Sequence, residues 1–528
     1  MVSVRSALRA VFAVCVLLSA GVVVSGYVTH SPAGTTPRAG PTGPDAVNRS
    51  SPQPSTSGLT VVTTDSNRPG LGLTNGSRAE AEIVAYDRNG SVRYYNDTYD
   101  RYWDVDPVVE TQTNGTDGNE TPETGSMTVE YVASERLNAS ACGLPDERGN
   151  GESGNGEDEN DKGGNGGGKA DEASGANGGG EAGVCARNVI ERVNLSTGAV
   201  TPIYAEVAPR AELAPWNDVD RINDTHYVVA DRTENRVFVV DTRTGEHAWE
   251  WYASAAFPFD SGGYYIEDWT HMNDVEYLPD GRIMASVRNH DQVVFLDPER
   301  PPERAVVEGW TLGNDSNRSV LYEPYNPDYI PRENGGPAVV VADAENNRVV
   351  EYAYHKGSWE RTWQWGPPAL QWPRDADRLP NGHTLVVDSN GDRVVEVGES
   401  GEVVWNVSVG LPYDAERLGT GPESAGGPSA ERIATRTSGK RGRADTDGDP
   451  ADGEAEEAAD PVASVAKRRL SGPALSAVLY VSPAWVGVVE LLALCVLVVV
   501  SLGWFLAESY WRSVVAGLRD RTEDTNRR

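Results

Sequence analysis

The run Trp269-Thr270-His271-Met272-Asn273-Asp274 places a histidine and an amide two residues apart, and Ser286-Val287-Arg288 brings a guanidinium to the end of the next strand-like run. On a strand, residues two apart project to the same side. His271, Asn273 and Arg288 facing one channel would suit an oxyanion such as sulfate or phosphate. Arginine grips two oxygens at once, and histidine transfers a proton or attacks. The bland alternative is a packing histidine with satisfied ring nitrogens. A second set is acidic: Asp218, Asp274, Asp328, Asp375 and Asp414 recur at matching places. They either cap backbone N–H groups and pair with arginines such as Arg378 and Arg417, or hold a cation, Ca²⁺ by its preference for oxygen ligands. The spacing leaves both readings open, because the ligands would come from separate repeats.

Those repeats define the scaffold. Each unit reads as an inner strand with an acidic pair, a Pro-Asp-Gly-like turn, a second strand ending in Asp or Arg, a polar turn, a third strand opening on Arg-Val, and a Trp-rich fourth strand. Asp231 to Arg236, Arg288 to Val293, Asp343 to Arg348 and Asp388 to Arg393 are the same turn four times. Short β-branched runs with no long 3.6-residue period mean an all-β body. Four strands per repeat make a propeller blade. Units near 59–108, 125–210, 217–251, 273–310, 322–366 and 373–409 predict a six-bladed β-propeller over 59–418. Tyr413 to Leu418 is left as a lone inner strand that completes the first blade from the far end of the chain, removing exposed sheet edges.

The blades from about Pro215 to Leu418 resemble the arylsulfotransferase family. The residues that carry the likeness are Trp269 to Asp274, then Ser286-Val287-Arg288, Arg378-Leu379-Pro380-Asn381-Gly382-His383-Thr384-Leu385 and Gly401-Glu402-Val403-Val404-Trp405. The resemblance implies a six-bladed propeller that moves a sulfuryl group between phenols through a histidine intermediate, without a nucleotide sulfate donor. It also implies that His271, Asn273 and Arg288 contact sulfuryl oxygens, with Arg374 and Asn217 as further substrate-binding positions. The family's nucleophilic histidine belongs directly before the aspartate column. Here that column reads Asn217, Asn273, Pro327, Arg374, Tyr413, so either His271 takes the role over or the covalent route is gone. His290 and His383 lie near blade turns and are expected to face solvent.

Composition narrows the partners. The 528 residues carry a formal charge of -33, and lysine is nearly absent beside arginine. Such a surface stays soluble in concentrated salt and points to a halophilic source. It excludes nucleic acid, because no basic stripe exists to release counterions. An apolar run from Ala10 to Val28 behind Arg5 and Arg9 is a signal anchor or a signal peptide (1–28), and 29–58 is a flexible stalk. The segment 484–507 is long and apolar enough for one transmembrane helix. Glu490 near its start either snorkels or meets a helix partner. Arginines in the 508–528 tail and at the N-terminus place both ends in the cytoplasm and the propeller outside. About a dozen Asn-x-Ser/Thr sites between Asn48 and Asn406 fit an extracytoplasmic glycoprotein. Cys142 and Cys185 bracket a Gly/Asn/Glu/Asp-rich insert (about 143–184) that cannot bury a core. They are either a disulfide at the base of that loop or two free buried thiols. Residues 419–470 read as an acidic, disordered linker.

Two functions remain. One is an arylsulfotransferase-like membrane enzyme acting on small-molecule aryl sulfates. The other is a non-catalytic surface propeller that binds a glycan, an envelope component or a protein. Both have membrane lipid as a neighbour, and neither needs a cofactor beyond the Ca²⁺ left open above.

Overall fold

Runs such as His226–Asp231 and Arg236–Asp241 alternate side chains across a sheet and stop at Thr-Glu-Asn or Thr-Gly turns, so each pair closes as an antiparallel hairpin. The computed structural model describes residues 2–29, 58–65, 81–108, 111–113, 120–122, 127–137, 142, 185–208, 216–265, 268–315, 317–421, 426–441, 473–482 and 486–526. The stalk at 30–57 and the insert at 143–184 lie outside the described residues.

Six four-stranded sheets form a six-bladed propeller. Inner strands are Pro412–Arg417, Arg101–Pro107, Trp216–Arg221, Met272–Tyr277, Pro324–Ile330 and Pro373–Arg378, for blades one to six. Blade one joins both ends of the body: Pro412–Arg417 pairs with Thr60–Thr64, which leads into Ile83–Tyr86 and Val92–Asn96. Arg101–Pro107 is not the end of blade one, where the unit near 59–108 puts it. It is the inner strand of blade two, ahead of Thr128–Leu137, Cys185–Asn194 and Ala199–Ala208. Valine, alanine and tryptophan from facing sheets fill the space between blades. Val228, Ala230 and Trp251 of blade three pack with Met272, Val275 and Ala285 of blade four.

The carboxylates around the axis fasten one blade to the next. Asp218 accepts from Val275 N (2.5 Å), Asp375 from Ala415 N (3.2 Å), Asp414 from Val105 N (2.8 Å) and Asp104 from Val219 N (3.3 Å). One layer down, Asp220, Glu276 and Asp328 do the same to Tyr277, Tyr329 and Arg378 N. Asp328 therefore belongs to the second layer, because Asp328 pairs with Val340 where Asp220 pairs with Val228. The first-layer residue of blade five is Asn326, and the position before it is Tyr325, not Pro327. Pro327 has no N–H, so the staple that Asp274 would make is missing and its Oδ1 is left without a partner.

Cys142 and Cys185 form a disulfide with Cα atoms 5.9 Å apart. It closes a 43-residue separation, so Cys142→Ser/Cys185→Ser is expected to lower stability by about 4 kcal/mol through loop entropy. Urea unfolding with and without reductant measures this. Several Asn-x-Ser/Thr sites are also Asx turns: the side chains of Asn96, Asn194 and Asn223 accept from the backbone N–H two residues on.

Among the described residues, four α-helices flank the propeller. Helix α1 (Val2–Thr29) has an apolar stretch at Arg9–Ser25. Helix α4 (Val488–Asn526) is long and apolar enough over Val488–Ala516 to cross a membrane, extending beyond the 484–507 read from sequence. Phe12 stacks on Trp504 and Arg9 pairs with Glu508, so α1 and α4 run antiparallel. Helix α2 (Ala430–Arg441) falls inside the stretch read as a disordered linker. It forms because Ser429 caps Arg432 N (3.3 Å) and the buried Glu351 carboxylate caps Ala430 N (2.9 Å). Helix α3 (Pro473–Val481) lies over the end of the propeller where the inner strands begin.

Candidate functional site

His271 stands immediately before the inner strand of blade four, in left-handed backbone (φ 48°). Strand alternation therefore does not reach it, and it does not share a face with Asn273. Glu323, Trp372 and Leu411 hold the same place in blades five, six and one with φ of 51°, 54° and 47°. The left-handed turn thus recurs in four blades and delivers one side chain from each to this end of the ring.

The approach to His271 is held from both sides. Thr270 donates from N (3.1 Å) and Oγ1 (2.7 Å) to Asn235 Oδ1, the Asn289 amide donates to Asp268 O (2.6 Å), and Trp269 Nε1 donates to Ser261 O (2.8 Å). This framing sets the ring against Asp268: His271 Nδ1 lies 2.9 Å from Asp268 Oδ2. Arg232 Nε donates to the other oxygen of Asp268 at 2.9 Å. Arg288 Nη1 approaches Nδ1 at 3.3 Å, and Arg288 Nη2 pairs with Glu323. The shorter contact to a carboxylate assigns the proton to Nδ1, leaving the lone pair on Nε2. Among the described residues no group hydrogen-bonds Nε2.

Electrostatics agree. Burial, with the Arg232 and Arg288 charges, lowers the His271 pKa to about 3 against the pull of Asp268. His271, its side chain 12% exposed, is a neutral imidazole at pH 7. Despite burial, Asp268 is held far below the usual carboxylate range, by its interaction and hydrogen bond with His271 first and then by the Arg232 and Arg288 charges. Because the folded-state value lies below the ordinary 6.5, the folded protein takes up this proton less readily than the unfolded chain. Stability supplied by the neutral ring is full above pH 6.5 and is lost as pH falls toward 3. A ¹⁵N-imidazole titration is expected to find His271 neutral at pH 5, with Nδ1 protonated.

The other sequence-derived positions sit elsewhere. Asn217 Nδ2 donates to Met272 O (3.0 Å) and Asn273 Nδ2 to Pro324 O (3.3 Å), each tying its inner strand to the next blade. Arg374 is buried, bonded to Asp65 Oδ2 (3.0 Å) and stacked over Trp372 (4.3 Å) and Tyr413 (5.0 Å). With Trp103, Tyr325 and Tyr413 it forms an aromatic layer above the acidic channel. Tyr325 links this layer to the site: the His271 ring is 6.2 Å away and the Arg288 guanidinium 5.2 Å. His290 is buried and does not face solvent, while His383 is half-buried. His290 packs on Phe257 with Nε2 3.0 Å from Ser261 Oγ, and His383 bonds Glu396 at 2.8 Å.

Below the aromatic layer the channel is lined by Asp104, Asp106, Asp218, Asp274, Asp375 and Asp377, among others. Burial pushes these carboxyls up, Asp218 and Asp328 to about 7 and Asp414 to about 6, against the hydrogen bonds each of the three accepts; repulsion from Asp414 and Asp220 adds to it at Asp218. Asp104 with Asp218 and Asp375 with Asp414 share hydrogen bonds, so protons are held between carboxyl pairs. Among the described residues no three His, Cys, Asp or Glu side chains are placed to hold a metal ion.

Asp268, Arg232 and Glu323 were not singled out from sequence. Asp268 was within reach, three residues before His271; Arg232 and Glu323 come from neighbouring blades and carry no local signal. Asp104 and Asp106 were also legible, since Asp104-Val105-Asp106 repeats Asp218-Val219-Asp220 letter for letter.

No protein-family model and no curated protein matches the sequence. Among solved structures, a putative 6-phosphogluconolactonase from Bacteroides uniformis is 10% identical, covering 68% of this chain and 99% of that one, with a TM-score of 0.38. The periplasmic gluconolactonase PpgL of Pseudomonas aeruginosa is 13% identical over 69% of this chain and 100% of that one, with a TM-score of 0.36. A streptogramin B lyase is 9% identical over 37% of this chain, with a TM-score of 0.27, and the match spans 54% of that structure's length. Likenesses this distant carry no argument about chemistry.

Proposed function

We propose that this propeller is a membrane-anchored group-transfer enzyme that moves a sulfuryl group from an aryl sulfate to a phenol. The observation that carries the reading is the Asp268–His271 pair beside Arg288: an oriented neutral imidazole with an unengaged Nε2, next to a fixed cation. Nε2 attacks sulfur, the N–S bond forms as the S–O bond to the aryl group breaks, and phenolate leaves. Asp268 stabilises the positive charge that develops on the ring. The acceptor phenol, its proton passing to the departed phenolate, then attacks sulfur through its oxygen; the new S–O bond forms as the N–S bond breaks, and His271 returns to neutrality. Arg288 binds sulfuryl oxygens once the sulfate displaces Glu323. The resemblance to arylsulfotransferases supports this chemistry; the place of the histidine differs from the family's.

The antiparallel packing of α1 and α4 supports an arrangement with both termini in the cytoplasm and the propeller outside. A second reading, a surface propeller that binds without transferring, is favoured by the Arg288–Glu323 pair, which already neutralises the cation. Full-length protein in lipid nanodiscs, in molar salt, is given a chromogenic aryl sulfate and a phenol acceptor. Phenol release that depends on acceptor is expected. Folded protein that releases none from several donors leaves the binding reading.

A further inference from the structure

The strands of a blade alternate in direction, so the residues that precede the inner strands and the loops that connect one blade to the next share one end of the propeller. His271 and Trp372 are both at that end. Helix α3 is seated there: Ser476 Oγ bonds Glu345 Oε2 (3.0 Å), Tyr480 Oη bonds Asp65 Oδ2 (2.9 Å), and the Tyr480 ring meets Trp372 at 5.7 Å. Val488, the first residue of the membrane-spanning helix α4, lines the same small cavity as Trp372 and Gln371. The lipid boundary therefore begins against this end of the ring.

The same end carries an aromatic cluster that the site does not use. Phe259, Tyr264 and Tyr265, in the loop that runs from blade three to His271, are 53%, 84% and 49% exposed. Phe259 and Tyr265 pack on buried Trp269 with centroids 5.1 and 5.6 Å apart. Phenylalanine and tyrosine held rigid on a loop, apolar bodies outward, are suited to the membrane–water interface, where tyrosine keeps its hydroxyl wet.

We propose that the His271 end of the propeller rests on the outer surface of the membrane, with Phe259, Tyr264 and Tyr265 seated in the lipid headgroup region. The site then draws its substrates from the bilayer, as amphiphiles with a sulfated or phenolic head and a lipid-soluble tail. The substrate class rests on the transfer chemistry proposed above; the contact with lipid does not.

The test separates them. In a Cys15→Ser/Cys495→Ser background, nitroxide labels are placed at Tyr264→Cys and, at the opposite end, at Thr244→Cys. The full chain is reconstituted in phosphatidylcholine nanodiscs, and collisions with oxygen and a water-soluble nickel chelate are measured. Several-fold lower nickel accessibility at 264 than at 244 is expected. Equal accessibility at both sites overturns the proposal and assigns the aromatic cluster to a protein partner. In a second arm, Phe259→Ser/Tyr264→Ser/Tyr265→Ser is compared with wild type on a nanodisc-embedded alkylphenyl sulfate and on a soluble nitrophenyl sulfate. A several-fold loss confined to the embedded substrate supports the substrate class. Equal rates on both substrates in wild type overturn that class. Absence of turnover on either removes the chemistry and leaves the labels to decide the surface.

Discussion

Replacing His271 with alanine is expected to abolish acceptor-dependent phenol release, a loss of about 10²–10⁴-fold or more, with the fold intact. The fold should survive because His271 lies outside the strand ladder and its ring is partly open. Asp268→Asn should keep binding and lose most of kcat. An amide in place of the carboxylate no longer fixes the Nδ1–H tautomer or offsets the charge that forms on the ring. Arg288→Lys should raise KM, since an ammonium cannot grip two sulfuryl oxygens as a guanidinium does. The pH profile is a further check. With the His271 pKa lowered to about 3 by burial and the Arg232 charge, the acidic limb should lie well below 6.5. Steady-state rates from pH 4 to 8 read this directly. An acidic limb near 6.5 would mean that a different, solvated group controls the reaction.

The second large effect is on stability. Arg378→Ala is expected to destabilise the propeller by about 3–5 kcal/mol in urea unfolding. Arg378 and Glu351 are both buried, and Arg378 Nη2 bonds Glu351 Oε2 at 2.9 Å. Glu351 also receives Ala430 N, so its carboxylate holds α2 to blade five. Removing the guanidinium leaves that charge buried with backbone and hydroxyl donors alone, which cannot replace a full positive charge. Arg378 also stacks over Trp363 at 4.7 Å, so packing is lost with the charge. Arg378→Met/Glu351→Gln should recover part of the loss, because no net charge is then buried. A single variant as stable as wild type would show that the Arg378–Glu351 pair adds nothing net to the stability of the propeller.

Much of this architecture is written locally. The Asp-rich inner strands, Pro-Asp-Gly turns, Arg-Val third strands and tryptophan fourth strands recur, and each repeat signals its own hairpins through short-range turn chemistry. The closing strand Pro412–Arg417 was legible because blade one lacks an inner strand of its own. The apolar length of α4 was legible by counting. Register was less so. Nothing near Asn326-Pro327-Asp328 tells the two acidic layers apart until the pairing of Asp328 with Val340 is known.

The site divides in the same way. His271 and Arg288 were visible as residue types at the ends of adjacent strands, and the fold brings them to 3.3 Å. Asn273, Asn217 and Arg374 carry equally suitable groups, yet the inter-blade gaps claim the two amides, and Asp65 with the aromatic layer claims the guanidinium. What decides between those fates is which backbone carbonyl or carboxylate stands opposite each side chain. That neighbour arrives from another blade, as Arg232 reaches Asp268 and Glu323 reaches Arg288. Sequence therefore determined the six blades and the chemical groups at their strand ends. Only ring closure decided which partners reach the site from outside its own blade, because the Arg232–Asp268 and Glu323–Arg288 contacts span two blades whose order along the chain says nothing of the few ångströms between them.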